Sequence, residues 1–512
     1  MFVGFQNWKK LLLCFVMGGI LVGAFAPFNL YFLGFISLAT LFYLWRDSSP
    51  KLSFWLGLSF GYGLYGVGVS WVYVSLSTYG GMPLWMGIIS VLGFTGLLAL
   101  LIGLSGYVVA RFFSNYRAIA IPCVWIVFEW VKSWLFTGFP WLDVGYTQTS
   151  SWLISWAPVG GIYLVSFVVV TIASCLAVMA QKHSSLRLPR FKQAACVLVL
   201  LCISYGLTFH DWSYPVGKPL SVGVVQPNTP IDLKWQHNYQ SELISKLARL
   251  SHGLNNTPQN KLSNAPVDLI VWPETALPLY SQQTDEAFWS SITPKGSALL
   301  TGIMDSPNRN DQHEIYNAAA LSCDGQQPAI YRKTHLVPFG EYLPLRFLFN
   351  WVLEYLQLPM SDLSSWKGNQ SLNCGETLKI GLSICYEDAF AAEYRSNVGD
   401  ATLLVNISED AWFGDSFAPH QRQQMAQMRA AELARPLVRS ANSGPSLLID
   451  HKGDVLVTTP QFSVQAIQFM VQPHDGDTPF KRFGNWIIWL SFAGLMLLIM
   501  FNRRVENSQK TA

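Results

Sequence analysis

Three residues in the second half of the chain carry side chains suited to thiol-based acyl transfer. Cys385 ends the apolar run Leu382-Ser383-Ile384 and is followed by Tyr386, Glu387 and Asp388. Glu274 closes Trp272-Pro273-Glu274, after the strand-like Asp268-Leu269-Ile270-Val271, and Lys333 lies in Tyr331-Arg332-Lys333-Thr334-His335. A thiol attacks a carbonyl only as thiolate, so Cys385 needs a proton acceptor and a positive environment. Glu274 is the expected base. Lys333, with the backbone N–H of the residue after the nucleophile, is the expected stabiliser of the tetrahedral oxyanion, where one donor is typically worth on the order of 100-fold in rate. Singly, each residue has an ordinary explanation: a structural thiol, a surface turn, a solvated cation. Their joint placement at the ends of strand-like runs in one segment favours the catalytic reading. A rival arrangement is Cys385, His420 and Asn442, whose order fits a papain-like Cys–His–Asn set. Chain order supports it only weakly, because Gln421-Arg422-Gln423 reads as an ordinary helix start.

The segment that must position these groups has its own periodicity. Between 218 and 472, short β-branched runs alternate with polar helical stretches. Strands are expected at Leu220–Val225, Val267–Val271, Ala298–Ile303, Ala318–Leu321, Thr377–Ile384, Ala401–Ile407, Ser446–Asp450 and Val455–Thr459, with helices at 236–253, 285–291 and 418–435. This is an α/β domain of about 250 residues, large enough for a full core. The stretch 343–366 is unusually apolar for a loop and reads either as a lid or membrane-contacting arm or as a buried excursion.

The rest of the chain is built for a bilayer. Of 512 residues, 51% are hydrophobic and 13% charged, far below the usual quarter charged of a soluble domain. Apolar runs of membrane-spanning length recur near 11–27, 30–45, 53–75, 84–110, 118–136, 158–180, 193–210 and 485–502. Lys and Arg occupy every second loop: Lys9 and Lys10, Arg46 and Lys51, Arg111 and Arg117, then Lys182, Arg187, Arg190 and Lys192, and finally Arg503, Arg504 and Lys510. About eight alternating spans with both termini cytoplasmic follow from the positive-inside rule. The expected organisation is a membrane domain of seven spans over 1–210, an outward catalytic domain over 211–484, and a last span with a cytoplasmic tail over 485–512. The alternative for the first span, a secretory signal ending at Ala24-Phe25-Ala26, leaves the outward domain unchanged. Glu129 and Lys132, one helical turn apart, are expected to pair with each other at the membrane edge. Trp141 to Tyr146 read either as a lining for lipid entry or as an interfacial aromatic belt.

Five of the eight cysteines lie in spans, where a thiol is a small hydrophobe. Cys323, Cys374 and Cys385 fall in the outward domain. An odd number in an oxidising compartment leaves at least one thiol unpaired, and a Cys323–Cys374 disulfide is one pairing open to them. The sequence has no CxxC or His/Cys cluster, and neither a metal nor another cofactor is expected. Ionisable residues are almost confined to Glu129 and Lys132 within the spans, which argues against a transporter or channel. No nucleic-acid partner is expected.

The segment resembles the carbon–nitrogen hydrolase (nitrilase) superfamily, whose members carry a Glu–Lys–Cys triad on an αββα sandwich, in the order Glu274, Lys333, Cys385. Within it, the chain is similar nearly end to end to the apolipoprotein N-acyltransferase family. The matching stretches are Val72-Tyr73-Val74-Ser75 with Gly80-Gly81-Met82-Pro83, Thr137-Gly138-Phe139-Pro140-Trp141-Leu142, Leu233-Lys234-Trp235, Val271-Trp272-Pro273-Glu274, His335-Leu336-Val337-Pro338-Phe339-Gly340-Glu341, Asp410-Ala411-Trp412-Phe413-Gly414 and Arg429-Ala430-Ala431-Glu432-Leu433-Ala434-Arg435-Pro436. One departure is Ser408-Glu409, where the family usually reads Ser-Asn.

The resemblance implies Glu274 as general base and then acid, Lys333 as electrostatic stabiliser and Cys385 as the nucleophile that becomes a thioester. It implies a supporting role for Glu341, and functional or substrate-contacting roles for Trp235, Tyr386 and Glu387. For Trp235 core packing, and for Glu387 a salt bridge, are the plainer readings. The implied reaction is ping-pong transfer of an acyl chain from a phospholipid, typically phosphatidylethanolamine, to the N-terminal amine of a diacylglyceryl-cysteine apolipoprotein. The implied setting is a monomer in the bacterial inner membrane, multi-pass, with the catalytic domain on the periplasmic face. The alternative is a membrane-anchored amidase or nitrilase acting on a small soluble substrate, which explains the triad but not the other spans.

Overall fold

A computed structural model describes residues 7–180, 190–254, 267–307, 314–344, 347, 362–368 and 370–510, the last eight of these in backbone only. Most of the apolar stretch 343–366 therefore lies outside the described residues. The chain divides into two compact units, one of residues 1–77, 83–211 and 478–512 and the other of residues 78–82 and 212–477.

The first unit is helical. Helices occupy Trp8–Leu21, Phe32–Arg46, Pro50–Gly68, Leu84–Phe112, Arg117–Lys132, Ala157–Met179, Arg190–Leu207 and Trp486–Lys510, so each expected span coincides with a helix. Among the described residues, three helices (Leu84–Phe112, Trp152–Met179 and Arg190–Leu207) are long and apolar enough to cross a membrane. The pair Pro50–Gly68 and Val72–Tyr79, bent by 57°, adds a fourth if it is one span. Close helix packing rests on glycine: a Cβ on Gly18 would lie 2.0 Å from the Phe60 carbonyl oxygen, and one on Gly63 would lie 1.9 Å from that of Phe15.

Two expectations for this unit change. Lys132 pairs not with Glu129 but with Asp143, at 2.7 Å, and also donates to the Trp141 carbonyl at 2.7 Å. Glu129 Oε1 instead accepts from Trp125 Nε1 at 2.9 Å and from the Val144 N–H at 2.8 Å. The segment after the helix folds back and offers both side chains better partners than each other, which two buried charges require. Trp141 and Tyr146 are buried, and Trp141 stacks against Phe139. They are interior packing, neither a lipid-entry lining nor an interfacial belt.

Among the described residues the second unit contains fourteen strands: β1 (Tyr214–Pro215), β2 (Leu220–Gln226), β3 (Leu269–Val271), β4 (Ala298–Asp305), β5 (Tyr316–Cys323), β6 (Ala329–Arg332), β7 (Leu372–Cys374), β8 (Leu378–Ile384), β9 (Leu403–Ser408), β10 (Leu437–Ala441), β11 (Leu447–Ile449), β12 (Val455–Thr458), β13 (Gln465–Val471) and β14 (His474–Asp475). They form two six-stranded sheets, ordered β13-β2-β3-β4-β5-β6 and β12-β11-β10-β9-β8-β7, and a small β1-β14 ribbon. Each large sheet has a parallel centre, β2-β3-β4 in one and β8-β9-β10 in the other.

Period-two alternation explains the layering. Val222, Val224, Leu269, Val271, Ala298 and Leu300 point into one core shared with Leu378, Ile380, Leu382, Ile384, Leu403, Val405 and Ile407 from the other sheet. The intervening residues Val225, Ile270, Leu299 and Ile303 pack outward, with Leu243 and Leu247 of the helix His237–Leu254 and Trp289 of Glu286–Ile292. Ala391–Val398 and Ala418–Leu433 pack against the second sheet. Two sheets thus lie between helices. The Cys323–Cys374 disulfide joins the end of β5 to the end of β7.

Candidate active site

Each triad candidate sits beyond the end of a strand, Glu274 and Cys385 after central strands and Lys333 after the edge strand β6. Glu274 lies in the turn after β3, where Thr275 takes φ +45°. That turn lies against Gly302 of β4, at which a Cβ would come within 2.2 Å of the Thr275 nitrogen and 2.7 Å of the Glu274 Cα. Glycine is what lets the Glu274 turn approach β4. Lys333 follows β6, its backbone fixed by Lys333 N–H to Asn317 C=O at 2.8 Å and Trp366 N–H to Lys333 C=O at 3.0 Å. Cys385 follows β8 with φ +51°, a left-handed conformation uncommon for a side chain-bearing residue. The turn lifts its thiol out of the sheet's alternation.

The three side chains share one buried site. Lys333 is fully buried, its Nζ 2.8 Å from Glu341 Oε1 and 3.6 Å from Glu274 Oε1. Asn317 Nδ2 donates to both of those carboxylate oxygens, at 2.7 Å to Glu274 and 2.8 Å to Glu341. The other oxygens are also held: Glu274 Oε2 by the Glu409 N–H and Glu341 Oε2 by the Val337 N–H, both at 2.8 Å. Burial pushes the Lys333 ammonium down, but Glu341 and Glu274 hold it well above its ordinary value. Lys333 is therefore a fixed positive charge. Burial, followed by Glu274, pushes the Cys385 thiol up to about 12, while Arg422 and Lys333 pull it back. Burial and Glu274 together thus favour the neutral thiol over the thiolate.

Glu387 ties the Cys385 turn to the Lys333 turn. Its Oε2 accepts from the Ile384 N–H at 2.7 Å and the Tyr331 hydroxyl at 3.1 Å. Its Oε1 accepts from the Thr334 N–H at 2.6 Å, the Thr334 hydroxyl at 2.8 Å and the His335 N–H at 3.2 Å. Burial raises its pKa, and these bonds oppose the shift. The plainer expectation of a salt bridge at Glu387 is replaced by this set of neutral donors. Tyr386 is buried, its ring edge-on to Phe390 at 4.9 Å, and Phe390 stacks on His335 at 3.6 Å. Trp235 remains 37% exposed. In its motif the residue that reaches the triad is Lys234, whose Nζ donates to the Glu274 carbonyl at 3.0 Å and pairs with Glu409 at 2.7 Å.

The Cys–His–Asn arrangement is not assembled. His420 bonds Gln461 at 3.0 Å, and Asn442 donates to Glu409 and to the Thr229 carbonyl. Beside the Cys385 sulfur stands Arg422, with Nη1 at 3.4 Å, together with the Ser408 hydroxyl at 3.8 Å. Sequence reading did not single out Asn317, Ser408 or Arg422 for the site. A lone Asn at the start of an Ala-rich strand and an Arg inside a helix carry no local signal.

Two packed sheets flanked by helices, with a buried Glu, Lys and Cys at three strand ends, define a carbon–nitrogen hydrolase domain, and residues 221–476 match that family's model. Residues 17–175 match the model of the apolipoprotein N-acyltransferase N-terminal domain. The chain is 36% identical over 508 residues to an apolipoprotein N-acyltransferase of Methylococcus capsulatus, covering 98% of this chain and 97% of the relative. It is 35% identical over 490 residues to that of Pseudomonas putida, covering 94% of each, and 35% identical over 504 residues to that of Nitrosomonas europaea, covering 96% of this chain and 97% of the relative. The chain belongs to the apolipoprotein N-acyltransferase family, and is an acyltransferase of lipoprotein maturation.

Proposed function

We propose that the protein transfers an acyl chain from a membrane phospholipid, through a thioester on Cys385, to the N-terminal amine of a diacylglyceryl-cysteine apolipoprotein. The observation that carries this reading is the convergence of Glu274, Lys333 and Cys385 in one buried site of a chain from an acyltransferase family. In the first half-reaction Glu274 takes the Cys385 proton as Sγ attacks the ester carbonyl. Lys333 stabilises the oxyanion, and Glu274 returns the proton to the departing lysophospholipid oxygen. In the second, the amine attacks the thioester carbonyl, Glu274 receives the amine proton, and the Cys385 sulfur leaves and is reprotonated. Glu341 holds Lys333, Glu387 holds the two turns in register, and Trp235 and Tyr386 contact substrate. No cofactor is required by these steps.

Phosphatidylethanolamine is the proposed donor. The protein is read as a monomer in the bacterial inner membrane, with seven spans over 1–210, the catalytic domain 211–484 on the periplasmic face and an eighth span within 485–512. The helices at all eight apolar segments and the alternation of basic loops support this topology. Both substrates are lipid-anchored, each buried CH₂ contributing about 0.8 kcal/mol to membrane residence, so the nucleophile must work at the interface.

The test is intact-protein mass spectrometry after incubation with phosphatidylethanolamine. An added acyl mass, absent in Cys385→Ala, removed by neutral hydroxylamine and discharged by a diacylglyceryl lipopeptide, is expected. A folded wild-type protein that turns over without any adduct sinks the thioester route.

A further inference from the structure

We propose that Arg422 is a further catalytic residue, whose guanidinium holds the Cys385 sulfur whenever that atom carries negative charge. This rests on Cys385 as nucleophile. The sulfur is charged twice per cycle, as attacking thiolate and as leaving group when the amine displaces the thioester.

The geometry is that of a built site. Arg422 lies in the helix Ala418–Leu433 and is 1% exposed. Its Nη1 is 3.4 Å from Cys385 Sγ, and its Nη2 donates to the Cys385 carbonyl at 2.6 Å. One guanidinium thus grips both the backbone and the sulfur of the nucleophile. Its fork is fixed by Asp410 at 2.7 Å and Asp388 at 3.2 Å, and Nη1 also bonds the Ser408 hydroxyl. Arg439 shares those carboxylates, at 2.8 Å from Asp410 and 3.5 Å from Asp388. Arg422, Arg439 and Lys333 face Asp388, Asp410, Glu274 and Glu341, so net charge alone does not favour a thiolate and proximity decides: the cation touches the sulfur. An arginine cannot surrender its proton, so it serves as a donor to the thiolate without competing with Glu274 as a base. The charged groups acting on Sγ are Glu274 and Asp410, which raise the thiol, and Arg422 and Lys333, which lower it, Arg422 more strongly. Lys333 faces Glu341 and Glu274 for the oxyanion; Arg422 faces the sulfur. The two cations divide the two developing charges.

The experiment is the pH–rate profile of iodoacetamide alkylation at Cys385, read by peptide mass spectrometry on full-length protein in detergent. An opposite charge at this range lowers a pKa by about 1–3, so Arg422→Gln is expected to slow alkylation at pH 8 at least tenfold, while Arg422→Lys stays within about threefold. Arg439→Gln loosens the same carboxylates without removing the cation at the sulfur and is expected to remain near wild type. Should Arg422→Gln fail to melt cooperatively, Arg422→His takes its place, with the same tenfold deficit expected against Arg422→Lys above pH 8. Wild-type alkylation in the folded neutral variant overturns the proposal. So does an equal loss in Arg439→Gln, which would make Arg422 a member of the scaffold. Failure of Cys385→Ala to abolish the acyl adduct is a separate result, and overturns the nucleophile assignment instead.

Discussion

Lys234 and Glu409 form a 2.7 Å ion pair, with side chains only 3% and 5% exposed, and each also holds Glu274: Lys234 through the Glu274 carbonyl, Glu409 through its N–H to Glu274 Oε2. Asn442 completes the arrangement by donating to both Glu409 oxygens at 3.0 Å. Burial raises the Glu409 pKa, and Lys234 followed by Asn442 opposes the shift. Glu409 is the position at which this sequence departs from the usual Asn of the resembling family, and the acid is matched here by a buried cation.

Breaking such a pair from one side leaves a buried charge alone, at a typical cost of about 3–5 kcal/mol. Lys234→Met and Glu409→Gln are each expected to lower the melting temperature and the rate of acyl-enzyme formation. The double variant should be less destabilised than the sum of the two. Thermal unfolding in detergent, analysed as a double-mutant cycle, checks this. Strict additivity would show that the pair contributes nothing as a pair.

Glu387 offers a sharper contrast between charge and shape. Its carboxylate accepts from three backbone N–H groups and two hydroxyls. In Glu387→Gln the amide nitrogen must face donors on one side, at a cost of about 1–3 kcal/mol per unsatisfied group. Misplacing the Cys385 turn relative to Lys333 by about 1 Å is expected to slow acylation about 100-fold. Single-turnover formation of the acyl-enzyme measures it, and a rate within threefold of wild type would refute the coupling of the two turns.

Much of this site is legible from sequence because polar, reactive side chains at strand ends leave a local mark. Cys385 and Glu274 each terminate an apolar run whose period-two alternation places it in the core. Lys333, after the short strand β6, stands out only with its neighbours. Arg422 and Lys234 leave no such mark, since a cation on a helix normally reads as solvated. Their burial follows from Asp388, Asp410 and Glu409, acidic partners that lie on other elements of the fold. For the same reason β10 goes unseen: Arg439 and Ser440 interrupt its apolar run, and both are buried because partners from outside their own strand meet them, Asp410 for Arg439 and the Val225 carbonyl for Ser440. Lys132 makes the converse point, since Glu129 is its neighbour in sequence but Asp143 is its partner in space.

Gly302 tests how Glu274 is seated. A methyl group there would meet the Thr275 nitrogen at 2.2 Å and Glu274 backbone atoms at 2.7 Å. Backbone on both sides leaves no flexible side chain to yield. Gly302→Ala is expected to cost about 1–3 kcal/mol of stability and to push Glu274 off its contacts with Lys333 and Asn317. Acylation should then fall more than binding of a non-reactive phospholipid ether. Equal loss of both would point to general damage instead.

The last prediction concerns the sign of the Glu274 effect on the thiol. As the proposed base, Glu274 is required for turnover, so Glu274→Gln should abolish acyl-enzyme formation from phospholipid. As a negative charge, however, it is the group that after burial does most to raise the Cys385 thiol toward about 12. Neutralising it therefore stabilises the thiolate at equilibrium and lowers the thiol pKa. The same variant that cannot turn over is expected to react faster with iodoacetamide, by roughly three- to tenfold at pH 8. The wild-type alkylation rate should keep rising through pH 10, with no plateau near neutrality. The new amide has to turn its nitrogen toward either the Glu409 N–H or Asn317 Nδ2, so a melting curve must accompany the assay. Slower alkylation in a folded Glu274→Gln protein would mean that the carboxylate acts on the resting thiol as a hydrogen-bond acceptor more than as a repelling charge. A plateau below pH 8 in the wild type would mean that Arg422 and Lys333 already outweigh burial in the free enzyme.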